Sequence, residues 1–140
     1  MKDLFSKVKL VRAISPVSVG DDTAQVSEIL DRTGFESVML GILTGSIGDS
    51  NATFAVLLEE SDNADMSGGN AVADGDLHGT EALAGFQYDD DNECRKLGYR
   101  GTKRYLRATI TPSGNGSAAL IAAFWQLGHP HSAPQSSQAT

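Results

Sequence analysis

Alternation is the feature that most limits what this chain can fold into. Arg104, Leu106, Ala108 and Ile110 take every second place, with Lys103, Tyr105, Arg107, Thr109 and Thr111 between and around them. Successive side chains on a strand point to opposite faces, so this pattern reads as a strand with one buried face. The same period recurs at Val8, Leu10, Arg12 and Ile14, at Val38, Leu40 and Ile42, and at Phe54, Val56 and Leu58. Residues 94–99 read as a further short strand, and residues 24–30 fit no single period. Pro16 is expected to end the first strand, because proline has no amide to give a ladder. Asp31-Arg32-Thr33-Gly34, residues 44–51, residues 99–103 and residues 112–116 carry turn chemistry. Strands over 35–43 and 53–59, joined by about eight residues, are expected to form a hairpin.

Residues 117–127 are almost unbroken apolar sequence, with Leu120, Ile121, Phe124 and Trp125. Periodicity alone allows a buried helix there. The turn residues before it and the charged strand upstream favour a central strand of a hairpin. Trp125 then belongs to the core and not to a sugar-stacking platform. Six to eight short strands with Gly-rich turns give an all-β fold: a jelly roll, a β-sandwich or a small barrel. Fifteen glycines in 140 residues suit that class. No stretch alternates strands with long amphipathic helices, which disfavours a helix-covered parallel sheet. The length suits a single β domain, 1–140, with short terminal arms at 1–6 and 132–140.

Charge is split along the chain. Eleven of the eighteen acids fall in residues 59–93, which hold no Lys or Arg. The remainder carries seven acids against all eleven bases, a net of +4 inside a chain of net charge -7. Arg95, Lys96, Arg100, Lys103, Arg104 and Arg107 crowd into thirteen residues directly after the acidic stretch. This reads either as two solvated faces of unlike sign or as two contact surfaces. The overall acidity argues against general nucleic-acid binding. Residues 60–93 are rich in Asp, Gly, Asn and Ala and read as one long acidic loop, with a helical turn at Thr80-Glu81-Ala82-Leu83-Ala84.

Catalytic patterns are sparse. Thr44-Gly45-Ser46-Ile47-Gly48 lacks the spacing of a nucleophile elbow. There is no phosphate-binding glycine motif. His129-Pro130-His131 offers two imidazoles without a third ligand at metal-site spacing, so a turn is expected there. Residues 59–63 and 89–93 are oxygen-rich but lack the spacing of a calcium loop. They read as acidic loops or an acidic docking patch. Cys94 is the single cysteine, which excludes an internal disulfide and fits folding in a reducing cytoplasm. It stands beside Arg95 and Lys96 with no base near it in sequence, and is expected to be a buried or half-buried structural thiol. Asn51-Ala52-Thr53 and Asn115-Gly116-Ser117 match the glycosylation sequon. No apolar run is long enough to span a membrane, and the first residues do not read as a signal peptide. No catalytic residue, cofactor site or metal site is expected.

Three stretches carry a resemblance. Leu97-Gly98-Tyr99-Arg100-Gly101-Thr102-Lys103-Arg104-Tyr105-Leu106-Arg107-Ala108, the earlier Leu58-Glu59-Glu60-Ser61-Asp62 and the late Leu127-Gly128-His129-Pro130 resemble a group of small tailed-phage structural proteins encoded near the head genes. The likeness spans residues 35–134. It implies a virion component, a head decoration or cement protein of the jelly-roll type. Such proteins sit as homodimers on the outer capsid surface and clamp neighbouring copies of the major capsid protein, with no nucleic-acid or membrane partner. On that reading the candidate capsid contacts are Arg95, Lys96, Arg100, Lys103, Arg104, Arg107, His129 and His131, together with the terminal arms. The alternative is a carbohydrate- or receptor-binding β-domain of a phage tail.

Overall fold

The computed structural model describes residues 2–135. Met1 and the distal part of the expected C-terminal arm, residues 136–140, lie outside them. In chain order the strands are β1 (Val8–Val19), β2 (Gln25–Val26), β3 (Leu30–Asp31), β4 (Phe35–Ile47), β5 (Thr53–Ser61), β6 (Asn70–Ala71), β7 (Leu77–His78), β8 (Phe86–Gln87), β9 (Cys94–Tyr99), β10 (Tyr105–Ser113) and β11 (Ala119–Pro130). One helical turn, α1 (Glu81–Ala84), precedes β8.

The strands form two antiparallel sheets stacked as a jelly-roll sandwich. The first sheet runs β1-β11-β4-β9-β7, and the second runs β2-β10-β5-β6, with β3 also on β10 and β8 also on β5. The alternating positions supply the core between them. Leu40, Ile42, Leu58, Leu97, Leu106, Ile110, Trp125 and Leu127 are almost fully buried, each worth about 1.5–3 kcal/mol of transfer free energy. The apolar run expected over residues 117–127 is a central strand from Ala119 on, continuing to Pro130 and paired with β1 on one side and β4 on the other.

Several local expectations are corrected. Pro16 does not end the first strand. β1 is an edge strand, and Ser15 and Pro16 together oppose Ala122 in a bulge, so the missing amide costs no ladder bond. A second bulge places Ala13 and Ile14 both in the core, which turns Leu10 outward. β4 continues through Thr44-Gly45-Ser46 to Ile47. The strands over 35–43 and 53–59 make no hairpin, because β4 and β5 belong to opposite sheets. Residues 48–52 cross between the sheets, held by Asp49, whose carboxylate accepts the Asn51 and Gly116 amides at 2.9 and 2.8 Å. β10 and β11 also lie in opposite sheets, so they form no hairpin with each other, and Pro112 and Ser113 are the end of β10 and not a turn.

The acidic stretch is a wrapped excursion and not an open loop. β6 and β8 attach to β5, while β7 attaches to β9 of the other sheet. Thr80 caps α1 by accepting the Leu83 amide at 3.0 Å. Glu81 accepts the Leu58 amide at 3.0 Å, and Phe86 stacks on Phe54 with 4.6 Å between ring centroids. The excursion thus closes one flank of the sandwich.

Candidate binding surface

The acidic and basic segments meet inside one molecule. Arg107 lies directly opposite Glu59 on the β10–β5 ladder, with 3.2 Å between their charged atoms. Lys103 reaches Asp62 at 2.6 Å. Arg104 grips Asp31 with two bonds of 2.9 and 2.8 Å. Arg95 binds Asp90 at 3.0 Å and Glu93 at 2.6 Å. These pairs hold the Asp31 carboxyl well below its ordinary range, chiefly through Arg104, and raise Lys103 through Asp62. The split charge therefore does not give two unlike faces, since strand pairing and the turns beside it join acids to bases. Among the described residues, Lys96 and Arg100 have no ion-pair partner, and they sit apart: Lys96 opposite Gly41 in the first sheet, Arg100 in the turn after β9.

The two histidines also part company. His131 bonds Glu36 at 2.5 Å, and the His129 ring bonds the Ser37 hydroxyl at 2.6 Å. His129 has φ 49° yet lies within β11, which stays paired with β4 through Pro130, so the turn expected at His129-Pro130-His131 is instead the end of this strand. Among the described residues no three His, Cys, Asp or Glu side chains converge as a metal site. Cys94 is exposed and not buried, because it begins β9 opposite Leu43 on an outward position. Asn115 turns its side-chain amide inward to the Val19 and Asp21 carbonyls at 3.0 and 3.1 Å, so this sequon has no free acceptor.

The surface that stands out is the outer face of the first sheet. Strand register sends Leu120, Ala122 and Phe124 of β11 outward beside Met39, Gly41 and Leu43 of β4. Leu10 and Arg12 of β1 flank them on one side, and Cys94 and Lys96 of β9 on the other. Leu10, Leu43 and Leu120 are 47%, 44% and 47% exposed. Phe124 lies flat across Gly41, where a Cβ would come within 2.3 Å of the ring. A glycine on an inner strand here keeps the aromatic down against the sheet. Beside it, Pro16, Leu43, Gly45, Leu120 and Ala122 line an open hollow of about 320 Å³. A half-exposed antiparallel sheet ordinarily alternates apolar with polar residues. Here the outward places of β11 from Leu120 to Phe124 and of β4 from Met39 to Leu43 stay apolar, with Gln126 and Ser37 as polar positions at one end, and the apolar part was legible as the lack of alternation in residues 117–127.

The second sheet is different outside. Tyr105, Arg107, Thr109 and Thr111 alternate outward, and the Arg104 guanidinium stands 5.1 Å from the Tyr105 ring centroid.

No family model matches the chain, and no curated protein matches it closely enough in sequence to count as a relative. Solved structures do match its fold. The PBSX exported protein XepA aligns over 100% of this chain and 43% of its own, with 13% identity and a TM-score of 0.57. The xylanase 10B of Clostridium thermocellum, in its CBM22-1 and GH10 modules complexed with xylohexaose, aligns over 94% of this chain and 28% of its own, with 12% identity and a TM-score of 0.53. This chain thus spans less than half of either of these neighbours. A xylan-binding module, CBM15, aligns over 93% of this chain and 95% of its own, with 12% identity and a TM-score of 0.47. At such identities the likeness is one of fold.

Proposed function

We propose that this chain is a non-catalytic binding module of a tailed-phage particle, a decoration protein that attaches to the outer shell. The observation that carries the reading is the outer face of the first sheet, a broad apolar surface left outside a complete core. The motif resemblance in residues 97–108, 58–62 and 127–130 supports the phage assignment. Attachment to a lattice and not to the free subunit stabilises the lattice by mass action, multiplied over many copies. The test is co-sedimentation with purified particles of the phage that encodes the chain. The expected result is binding to heads and a rise in the temperature at which the shells melt. Retention by tails alone, with heads unaffected, overturns it.

A second reading is a carbohydrate-binding domain. Its support is the fold shared with the CBM22-1 and GH10 modules of a xylanase complexed with xylohexaose, and the half-exposed Tyr105 ring beside Arg107 and Thr109 on the second sheet. Retardation of the chain in gels containing soluble xylan or the host's surface polysaccharide, abolished by Tyr105→Ala, favours this reading over the first.

A further inference from the structure

The outer face of the first sheet carries a charge pattern as well as an apolar one. Its outward strand positions include Arg12 and Lys96 and no Asp or Glu among the described residues; Asp3, from the segment before β1, lies only at the far end, beside Ser37, Met39 and Gln126 and together with Lys7. This is a local reversal in a chain of net charge -7. β1 and β9 are three strand steps apart across β11 and β4, so the two cations flank the apolar centre at a spacing of about 14 Å. Lys96 has no described ion pair. Arg12 has only Glu28, 3.6 Å away beyond the sheet edge, and both side chains are largely in solvent, which is a weak hold.

We infer that this face docks onto a protein surface that presents an apolar side chain beside a pair of carboxylates, since Arg12, Phe124, Gly41 and Lys96 form one row across the sheet and the hollow adjoins it. The inference rests on the decoration reading and names the surface and the partner chemistry. The apolar residue enters the hollow between Leu43, Leu120 and Pro16, and the carboxylates meet Arg12 and Lys96. A second copy of this chain does not suit the face. A two-fold pairing sets the patch against itself, and the outward strand positions of the opposing patch offer Arg12 and Lys96 no carboxylate. A polysaccharide does not suit it either, because the centre offers leucines and a ring pressed onto Gly41 in place of upright rings and polar groups.

The experiment measures binding to heads freed of this chain, from about 50 mM to about 500 mM NaCl. Leu120→Glu and Leu43→Glu are compared with a distant control, Leu83→Glu on α1, which is 72% exposed. The first two are expected to weaken binding at least roughly tenfold, as truncation of an interface centre does. Leu83→Glu is expected to bind like the parent. The double change Arg12→Glu and Lys96→Glu is expected to weaken binding most at low salt and to flatten the salt dependence. Thermal melts followed by Trp125 fluorescence verify that each variant is folded. If folded variants of the face bind heads like the parent, the inferred face is wrong while shell attachment stands. If the parent binds no heads, both fall. If Leu120→Glu converts a dimer to a monomer in sedimentation, the occupant is a second copy and the acidic partner is wrong. Binding of the parent to anionic lipid vesicles in place of heads overturns it as well.

Discussion

Tyr99 and Glu60 join the two sheets across the core edge. The phenol, on β9 of the first sheet, donates to the Glu60 carboxylate on β5 of the second at 2.5 Å. It also accepts the Lys103 amide at 2.9 Å, and the Arg32 guanidinium stands 5.6 Å from its ring centroid. Arg32 in turn donates to the Lys103 carbonyl at 2.5 Å, so the turn after β9 is held from both sides. Burial, and then Glu60, push the phenol far above its ordinary pKa. Tyr99→Phe removes the hydroxyl and leaves the Lys103 amide and a Glu60 oxygen without their partner. The expected loss is about 1–3 kcal/mol of unfolding free energy, read from urea titration of Trp125 fluorescence. An unchanged midpoint shows that the link contributes nothing.

The Asp31–Arg104 pair gives a pH signature. The Asp31 carboxyl is acidified in the fold, first by its hydrogen bonds from Arg104. Its contribution is therefore complete above the unfolded carboxyl pKa of about 4 and fades as pH falls through the lower folded value. Both side chains are roughly half exposed, 44% for Asp31 and 54% for Arg104, so solvent screens the pair. Asp31→Asn is expected to lower the melting temperature by only a few degrees at neutral pH. The gap to the parent narrows as pH drops below about 4, and it also narrows in high salt. A gap that widens on acidification contradicts the assignment.

Leu106 lies at the centre of the alternating segment and is fully buried. Leu106→Ala is expected to cost about 2–5 kcal/mol, transfer and cavity terms together. Leu106→Asp is expected to prevent cooperative folding, because an unpaired charge would be left in the core. Soluble, cooperative melting of the Asp variant contradicts the core position.

What the sequence made legible follows from the range of the physics. Alternation is local, so Val38, Leu40, Ile42, Phe54, Val56, Leu58, Leu106 and Ile110 were placed in the core from their spacing, and all are buried. The helical turn at Thr80 was legible because its cap is also local. Bulges are not: an extra residue at Ala13 is visible only against the partner strand, and it reverses which face Leu10 takes. Sheet membership of β4 and β5 is decided by distant pairing, which turn length alone misread. The basic cluster was visible, but its neutralisation by Glu59, Asp62 and Asp31 depends on how distant segments pair, and only the Arg95 pair with Asp90 is local in sequence. The apolar outer face had a signal, the unbroken run in β11, and only the position of β4 beside it shows how far that face extends.

Cys94 gives the last prediction, and it concerns access to that face. It stands outward at the start of β9, opposite the exposed Leu43, and it is the only thiol in the chain. A polyethylene-glycol maleimide of several kilodaltons is expected to modify it fully in the native protein, with little change in melting temperature, since no core contact is lost. The attached polymer would overhang Leu43 and the adjoining hollow and block docking by exclusion. Methyl methanethiosulfonate adds only a small group at the same sulfur and is expected to leave most of the binding to heads. Equal loss with both reagents points to the thiol itself as a contact. Full binding after polymer attachment places the docking surface elsewhere on the sandwich.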